Sequence, residues 1–407
     1  MKTPILSFLD QLGETKIDFN FDRSVQLNSL FYKKLPVITV CGTNGKGSTC
    51  MFLESILLEA GYRVGTFSSP HVENVRERIR IQGESISESM LEEFGDGVRK
   101  GIESKNVQVT YFEFLTFLAL DVFEKRSIEI AIFETGLGGR LDSTHAIPRI
   151  GAILTSVSMD HMSYLGTTLK QIAREKIPIL EASPFSVVSK QVQEVEEVVT
   201  DRLKKSYVME GRDFHHSGSG EMFVYEMENV GIGPLSLGIR GDHQTSNAAC
   251  ALAMAQHLKK AGWNQIDAQN ISRGLQKSSN PGRLEKWIGG NQQEIWLDVA
   301  HNEDAIAKQV QYFYVRKRRD FHTVFGCSND KPYESMIQTL KSITQKFYFV
   351  TTPTSRSWKP EHLPLQKPDA CVAELIKSQK TPLLCTGSFY HVGEIRSHLP
   401  KWGFSKI

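Results

Sequence analysis

The sequence predicts an α/β protein: a doubly wound, mostly parallel sheet built around a P-loop, with a small antiparallel insert, followed by a smaller Rossmann-like α/β domain. Three observations predict it. Short β-rich runs alternate with helix-periodic segments, a glycine-rich turn joins the first such run to an apolar helix, and a Ser/Asn/Pro/Gly-rich stretch between Lys277 and Asn291 separates two alternating halves.

Taken in order, Pro36–Cys41, Val64–Phe67, Ile128–Phe133 and Ile150–Val157 read as buried strands, because continuous β-branched runs suit parallel strands covered on both faces. The apolar segment Met51 to Leu58, stopped by Gly61, is the helix after the glycine-rich turn. From His215 to Gly241 glycines and short alternating runs such as Met222-Phe-Val-Tyr-Glu-Met227 predict the antiparallel insert. A helix from Thr245 to Lys260, closed by Gly262, follows it. The pattern then restarts, with Glu294–Val299, Thr323–Phe325, Phe347–Thr351 and Leu383–Thr386 as strands of the second domain. The expected boundaries are a first domain at 1–284, a hinge at 285–292 and a second domain at 293–407.

A chain of 407 residues exceeds one ordinary core, which agrees with two domains. Its 48 Lys and Arg face 46 Asp and Glu, so the net charge of +2 supplies neither a nucleic-acid stripe nor attraction to a membrane surface. Six scattered cysteines without a Cys-x-x-Cys pair argue against a zinc site and a secreted disulfide framework. An early Asp10 and the lack of a long apolar run predict a cytoplasmic protein, expected to act as a monomer on small molecules.

The richest stretch is Val37-Ile-Thr-Val-Cys-Gly-Thr-Asn-Gly-Lys-Gly-Ser-Thr49. Gly42, Gly45 and Gly47 let backbone N–H groups converge on an anion, Lys46 adds a point charge, and Ser48 or Thr49 offers a hydroxyl to Mg²⁺. The usual phosphate-loop pattern sets Ser or Thr directly after the Lys, whereas here Gly47 intervenes. Four further clusters sit at strand ends: Ser68-Ser-Pro-His71 with Glu77-Arg-Ile-Arg80, Phe133-Glu-Thr-Gly-Leu-Gly-Gly-Arg-Leu-Asp142, Ser158-Met-Asp-His-Met-Ser-Tyr-Leu-Gly166, and a fourth split between Asn280–Glu285 and Leu297–Asn302. Glu134 at the tip of an apolar strand is where an α/β protein holds a metal or ligand, with an ion pair to Arg140 as the structural alternative. In the fourth cluster, Arg283 and His301 are expected to approach a phosphate from opposite sides of the hinge.

Together these motifs resemble the bifunctional dihydrofolate synthase/folylpolyglutamate synthase family of the Mur ligase superfamily, over nearly the whole length. The resemblance rests on Gly42–Ser48, Ser68–His71, Arg76–Arg80, Thr110-Tyr-Phe-Glu113, Gly136–Asp142, Asp160-His161, Ala173-Arg-Glu-Lys176, Pro281-Gly-Arg283, Asp298–Asn302 and Gly387-Ser388. It implies an ATP-binding first domain and a glutamate-ligase second domain. Thr43, Asn44, Gly45, Lys46, Gly47 and Ser48 would hold ATP phosphates, and Asn247, Arg283 and Asp298 match ATP-contacting positions. Ser69, Glu134 and His161 would serve two Mg²⁺ ions, and His301 lies in the matching phosphate-facing segment. Lys16, Ile17, Thr110, Tyr111, Phe112, Glu113, Arg140 and Leu141 match the pterin-side pocket, and Lys176 matches a lysine that the family carries as a carbamate. Two departures stand out: Ile177-Pro178 replace the usual Ala-Gly-Ile after that lysine, and Asn20 in Phe19-Asn-Phe-Asp-Arg23 replaces a usual glycine.

The chemistry so implied is ATP-dependent ligation of L-glutamate to dihydropteroate or a folate through an acyl phosphate, with Lys46, His301 and Lys176 as the catalytic set. A muramyl-peptide-type ligase and a P-loop kinase are the alternatives. The first is expected to place a nucleotide-sugar domain ahead of the loop, and the second has no use for the Asp298–Asn302 segment.

Overall fold

A computed structural model describes residues 3–14, 16–204, 206–228, 230–290, 292–352, 354, 356–360 and 364–407. The chain divides into two units. The first comprises Met1–Pro70, Val75–Gly238 and Thr245–Ser279, and the second comprises His71–Asn74, Ile239–Gln244 and Asn280–Ile407.

In the first unit, β1 (Val37–Cys41), β2 (Val64–Phe67), β3 (Ile79–Ile81), β4 (Glu84–Ser85), β5 (Ile130–Glu134), β6 (Gly151–Leu154), β7 (Ser186–Val188) and β8 (Tyr207–Met209) form one sheet in the order β4-β3-β2-β5-β1-β6-β7-β8. Only the β2–β3 and β3–β4 pairs are antiparallel. Every residue of β1 and β5 is buried, as expected of strands covered on both faces. The chain leaves β1 toward β2 on one side, and the β5-to-β6 connection crosses to the other. The carboxyl end of β1 is therefore a topological switch point, where open α/β sheets bind ligands. Pairing of Val40 with Glu134 and of Cys41 with Leu154 brings Gly42, Glu134 and Thr155 to that edge together.

The helix Lys46–Glu59 follows β1 and is covered by the helix Ala268–Lys277. Their contact is backbone-close, because a side chain at Gly274 would run into the backbone of Ser55 and Ile56. Phe114, Phe117, Phe123 and Phe133 fill the core below the helix Tyr111–Lys125, and Leu154, Ile172, Val188 and Val199 build a second cluster. The predicted insert is present as β9 (Phe214–Ser217), β10 (Phe223–Met227) and β11 (Val230–Leu235), and β10 alternates buried and exposed residues as an antiparallel strand with one wet face should.

The second unit holds β12 (Glu285–Gly289), β13 (Glu294–Asp298), β14 (Phe321–Phe325), β15 (Thr344–Phe349), β16 (Leu383–Thr386) and β17 (Phe404–Lys406), ordered β15-β14-β16-β13-β12-β17. Here the expected hinge is corrected. Residues 285–289 are a strand, paired antiparallel with β13 and with β17, and the second unit already begins at Asn280. Gly289 and Gly290 lie at the end of β12 toward β13 rather than in a linker, with Gln292 N donating to Gly289 O; Asn291 lies outside the described residues. Among the described residues no helix is long and apolar enough to cross a membrane, and all six cysteines are buried free thiols.

Candidate active site

The phosphate loop is held from below by the residues that leave β6. Thr43 N and Asn44 N both donate to Ser156 O, at 2.8 and 3.3 Å. Thr43 Oγ1 donates to Ser158 O and accepts from Ser158 N, each at 3.1 Å, and Asn44 Nδ2 donates to Ser158 Oγ. Beyond the end of β6 at Leu154, Thr155 N still donates to Cys41 O of β1 and Val157 N to Gln191 Oε1, while Ser156 and Ser158 turn their hydrogen bonds to the loop.

Two glycines are required here. Gly42 (φ 147°) and Gly45 (φ 90°) have backbones that disfavour any side chain, and a Cβ would strike Thr155 Oγ1 at the first and Asn247 Oδ1 at the second. Asn247 thus sits against the loop. Gly45 precedes the first turn of the helix Lys46–Glu59, whose N-terminal amides and positive dipole end favour an anion. Lys46 Nζ lies 3.2 Å from Thr43 O, so the cation is folded over the loop. Ser48 and Thr49 are buried in that first turn, and Thr49 Oγ1 finds no hydrogen-bond partner among the described residues.

Glu134, at the end of β5, is buried, and its Oε2 accepts from Ser69 N at 3.1 Å, so two of the three expected metal residues meet directly. The alternative pairing of Glu134 with Arg140 is not what is seen: Arg140 pairs with Glu175 at 3.1 Å, and its N donates to Glu175 O. Asp142 closes the Gly136–Asp142 loop, Oδ2 accepting from Gly136 N and Leu137 N and Oδ1 from Thr144 N. Burial pushes the Asp142 carboxyl up, against the pull of those bonds. His161 takes a left-handed backbone (φ 49°), with its N donating to Asp160 Oδ1 and its ring 4.0 Å from the same carboxylate.

Among the described residues no three His, Cys, Asp or Glu side chains gather as a metal cluster. That donor set suits Mg²⁺, which is held by one or two carboxylates together with waters and phosphate oxygens rather than by an all-protein cage. A buried carboxylate, a buried hydroxyl lacking a partner and a serine beside them fit such an ion.

Lys176 ends the helix Leu169–Lys176, and Pro178, which cannot continue it, starts a new short helix. Its side chain is buried, and Nζ donates to Gly42 O at 2.9 Å, directly under the phosphate loop. Burial, with the nearby Lys46 charge, lowers its pKa to about 8.

On the substrate side, Thr110 and Glu113 form a reciprocal capping box at the start of the helix Tyr111–Lys125. Glu113 Oε2 accepts from Thr110 N and Oγ1, and Oε1 accepts from Arg23 Nε at 2.8 Å. Both side chains therefore anchor structure. Tyr111 lies under the Arg78 guanidinium, 5.2 Å from it, while Phe112 packs on Phe67 and on the Gly136 backbone. Lys16 and Ile17 are exposed, and so is Arg140; Leu141 is half-buried.

In the second unit the two halves of the fourth cluster are brought together, which corrects the expectation that a hinge parts them. Adjacent strands β12 and β13 carry them, and Asp298 ties them: Oδ2 accepts from Leu284 N and Oδ1 from Ala300 N. Asp298 is thus a buried organiser with both oxygens engaged, and burial pushes its carboxyl up despite the neighbouring Arg283. Arg283 lies 5.1 Å from the Phe389 ring and His301 5.5 Å from it, so both lie against one aromatic ring; His301 Nδ1 is 2.9 Å from Val299 O.

Sequence reading quoted Ser158 and Arg23 within its motifs without giving either a role, and it passed over Ser156. Small hydroxyl residues and a lone arginine look like loop and surface until their partners are known.

Residues 40–255, more than half of the chain, match the Mur ligase middle domain, which places the protein among the Mur-type ATP-dependent ligases. It is 31% identical to the dihydrofolate synthase/folylpolyglutamate synthase of Bacillus subtilis over 90% of this chain and 91% of that one. The chain belongs to the dihydrofolate synthase/folylpolyglutamate synthase family. Among solved structures it resembles E. coli FolC in complex with DHPP and ADP, with a TM-score of 0.87, 26% identity and 98% of each chain covered. A bifunctional folylpolyglutamate synthase/dihydrofolate synthase with Mn, AMPPNP and L-glutamate bound gives a TM-score of 0.84 at 27% identity, again over 98% of each chain.

Proposed function

We propose that this protein joins L-glutamate to both dihydropteroate and folates, using ATP to activate the acceptor carboxylate. A carboxylate is a poor acyl donor, so the γ-phosphoryl group is first transferred to it. The amine of glutamate then attacks the resulting acyl phosphate, and ADP and phosphate leave. The observation that carries this reading is the arrangement at the switch point. A glycine cradle with its lysine, a buried carboxylate one strand away and a second buried lysine beneath all belong to one sheet edge.

Within that site the loop amides of residues 43–48 and Lys46 bind and orient the triphosphate, and Asn247 braces the loop at Gly45. Glu134, Ser69, His161 and the Ser48–Thr49 hydroxyls are the residues that would hold two Mg²⁺ ions, which supply charge neutralisation at the phosphates. Arg283, Asp298 and His301 are assigned to the nucleotide, with Asp298 accepting from Leu284 N and Ala300 N between the other two. Lys16, Ile17, Tyr111, Phe112, Arg140 and Leu141 are assigned to the pterin end. Lys176 is assigned a carbamate. Its buried position and lowered pKa leave a usable neutral amine fraction near neutral pH, and the modification would place an anion under the loop.

The test is direct. Pure enzyme is incubated with ATP, Mg²⁺, glutamate and either dihydropteroate or tetrahydrofolate, and the products are weighed by mass spectrometry. One glutamyl residue added to each acid is the expected result. Extension of the folate alone removes the first activity, and ADP release that ignores glutamate overturns the ligase reading.

Replacing Glu134 or His161 by Ala is expected to slow turnover about 10- to 100-fold and to shift the Mg²⁺ requirement upward. Unchanged Mg²⁺ titration curves in both variants would assign these residues to packing instead.

A further inference from the structure

The antiparallel insert β9–β11 has no part in the chemistry assigned above, yet it is fastened to the helix that carries Asn247. Tyr225, buried in β10, donates through its hydroxyl to Gln256 Oε1 of the helix Gln244–Lys260 at 3.1 Å. A second tie lies at the start of the same helix. Glu210, the residue after β8, is buried and receives three donors. Ser246 Oγ donates to Oε2 at 2.6 Å, Lys190 N donates to the same oxygen at 2.9 Å, and His216 Nε2, on β9, lies 2.9 Å from Oε1.

A buried carboxylate is tolerated only where its oxygens are satisfied, and here they are. Burial pushes the Glu210 carboxyl up, but the bonds from His216, Ser246 and Lys190 N outweigh it and hold the group below its ordinary value. Glu210 is therefore an anion near neutral pH. An ionised carboxylate only accepts, so His216 donates to it through Nε2.

What this cluster holds is the first turn of the helix. Ser246 is bound to Glu210, and the next residue, Asn247, is the one that lies against Gly45 of the phosphate loop. Two successive residues of one helical turn thus connect the Glu210 carboxylate to the loop. A parallel route runs along the strand ends. The bond from Lys190 N fixes the turn after β7, whose Gln191 accepts from Val157 N at 3.0 Å and donates to Thr155 O at 3.1 Å, in the segment that supports the loop from below.

We propose that Glu210 is a positioning residue for the nucleotide: held by His216 of the insert, it fixes Ser246 and thereby the placement of Asn247 at the phosphate loop. The insert then serves the nucleotide site. This rests on the ligase reading above, in which Asn247 braces the loop at Gly45.

Calorimetric titration of the whole enzyme with AMPPNP and Mg²⁺, beside steady-state kinetics with each substrate varied in turn, tests it. Ser246→Ala and His216→Phe are expected to raise the AMPPNP dissociation constant and KM for ATP about tenfold, as loss of one hydrogen bond to a buried charge should. KM for dihydropteroate and for glutamate should not move. His216→Gln, whose side-chain amide can donate from the place of Nε2, should restore AMPPNP binding. The deciding measurement is a double-mutant cycle. In an Asn247→Ala background, Ser246→Ala should weaken AMPPNP by less than about twofold more, because its effect passes through Asn247. Full additivity of the two changes would overturn the proposal, and so would normal AMPPNP binding by Ser246→Ala and His216→Phe. An equal rise in KM for every substrate would assign Glu210 to general stability and overturn it as well. If Asn247→Ala itself binds AMPPNP normally, the role of Asn247 falls together with the proposal, while glutamate addition by the unaltered enzyme would keep the ligase reading.

Discussion

Lys46→Ala is expected to abolish glutamate-dependent ADP formation with either acid, a fall of about 10³-fold or more in turnover. The loop amides remain after the change, but they carry only partial charges, whereas the triphosphate needs a full cation aimed at the group in transfer. Losing one preorganised donor at such a site commonly costs about 10²- to 10³-fold, and here the donor is also charged. Lys46 Nζ makes its hydrogen bond to an adjacent loop carbonyl, so its removal leaves the fold in place. A purified variant with an unchanged melting temperature and near-normal ADP formation would show that the loop does not hold the nucleotide phosphates.

Lys176→Ala should be equally inactive and should regain part of its activity when short carboxylic acids are added to occupy the vacated space. As an ammonium, Lys176 does no more than bind Gly42 O beneath the loop, and acids should not replace it. As a carbamate, it is a carboxylate in all but the bond to nitrogen, and acids should. Full activity of Lys176→Ala without additive would remove the carbamate. A linked effect concerns stability in the unmodified protein. The amine has a pKa of about 8 when folded, below its ordinary value near 10.4 in the unfolded chain. Between these values the unfolded state binds more protons, so stability rises with pH across that window, by about 3 kcal/mol at most, and is flat below it. Denaturant melts of the protein in CO₂-free buffer, compared with those of Lys176→Ala, would read this difference.

The fold was legible because its signals are local. A β-branched run marks β1, short apolar runs mark β5 and β13, alternation marks β10, and Gly42, Gly45 and Gly61 mark turns that few other residues tolerate. The phosphate loop was legible for the same reason, since its chemistry lies within eight successive residues. The misplaced hinge shows the limit of that logic. Gly289-Gly290 in a linker and Gly289-Gly290 in a hairpin turn have the same composition, and only pairing of Glu285–Gly289 with two other strands tells them apart.

What the sequence by itself determined is therefore the order of elements, the nucleotide cradle and the family, each encoded in short contiguous patterns. Tertiary structure alone decided which partner each polar group took. Asp298 engages Leu284 N and Ala300 N, which joins Arg283 and His301 on one side of a supposed divide. Glu113 caps its own helix and holds Arg23, Arg140 takes Glu175 while Glu134 accepts from Ser69, and Phe19 meets Tyr164 across more than 140 residues. A buried carboxylate must satisfy its oxygens wherever donors converge, and that convergence depends on contacts between distant segments which no local pattern records.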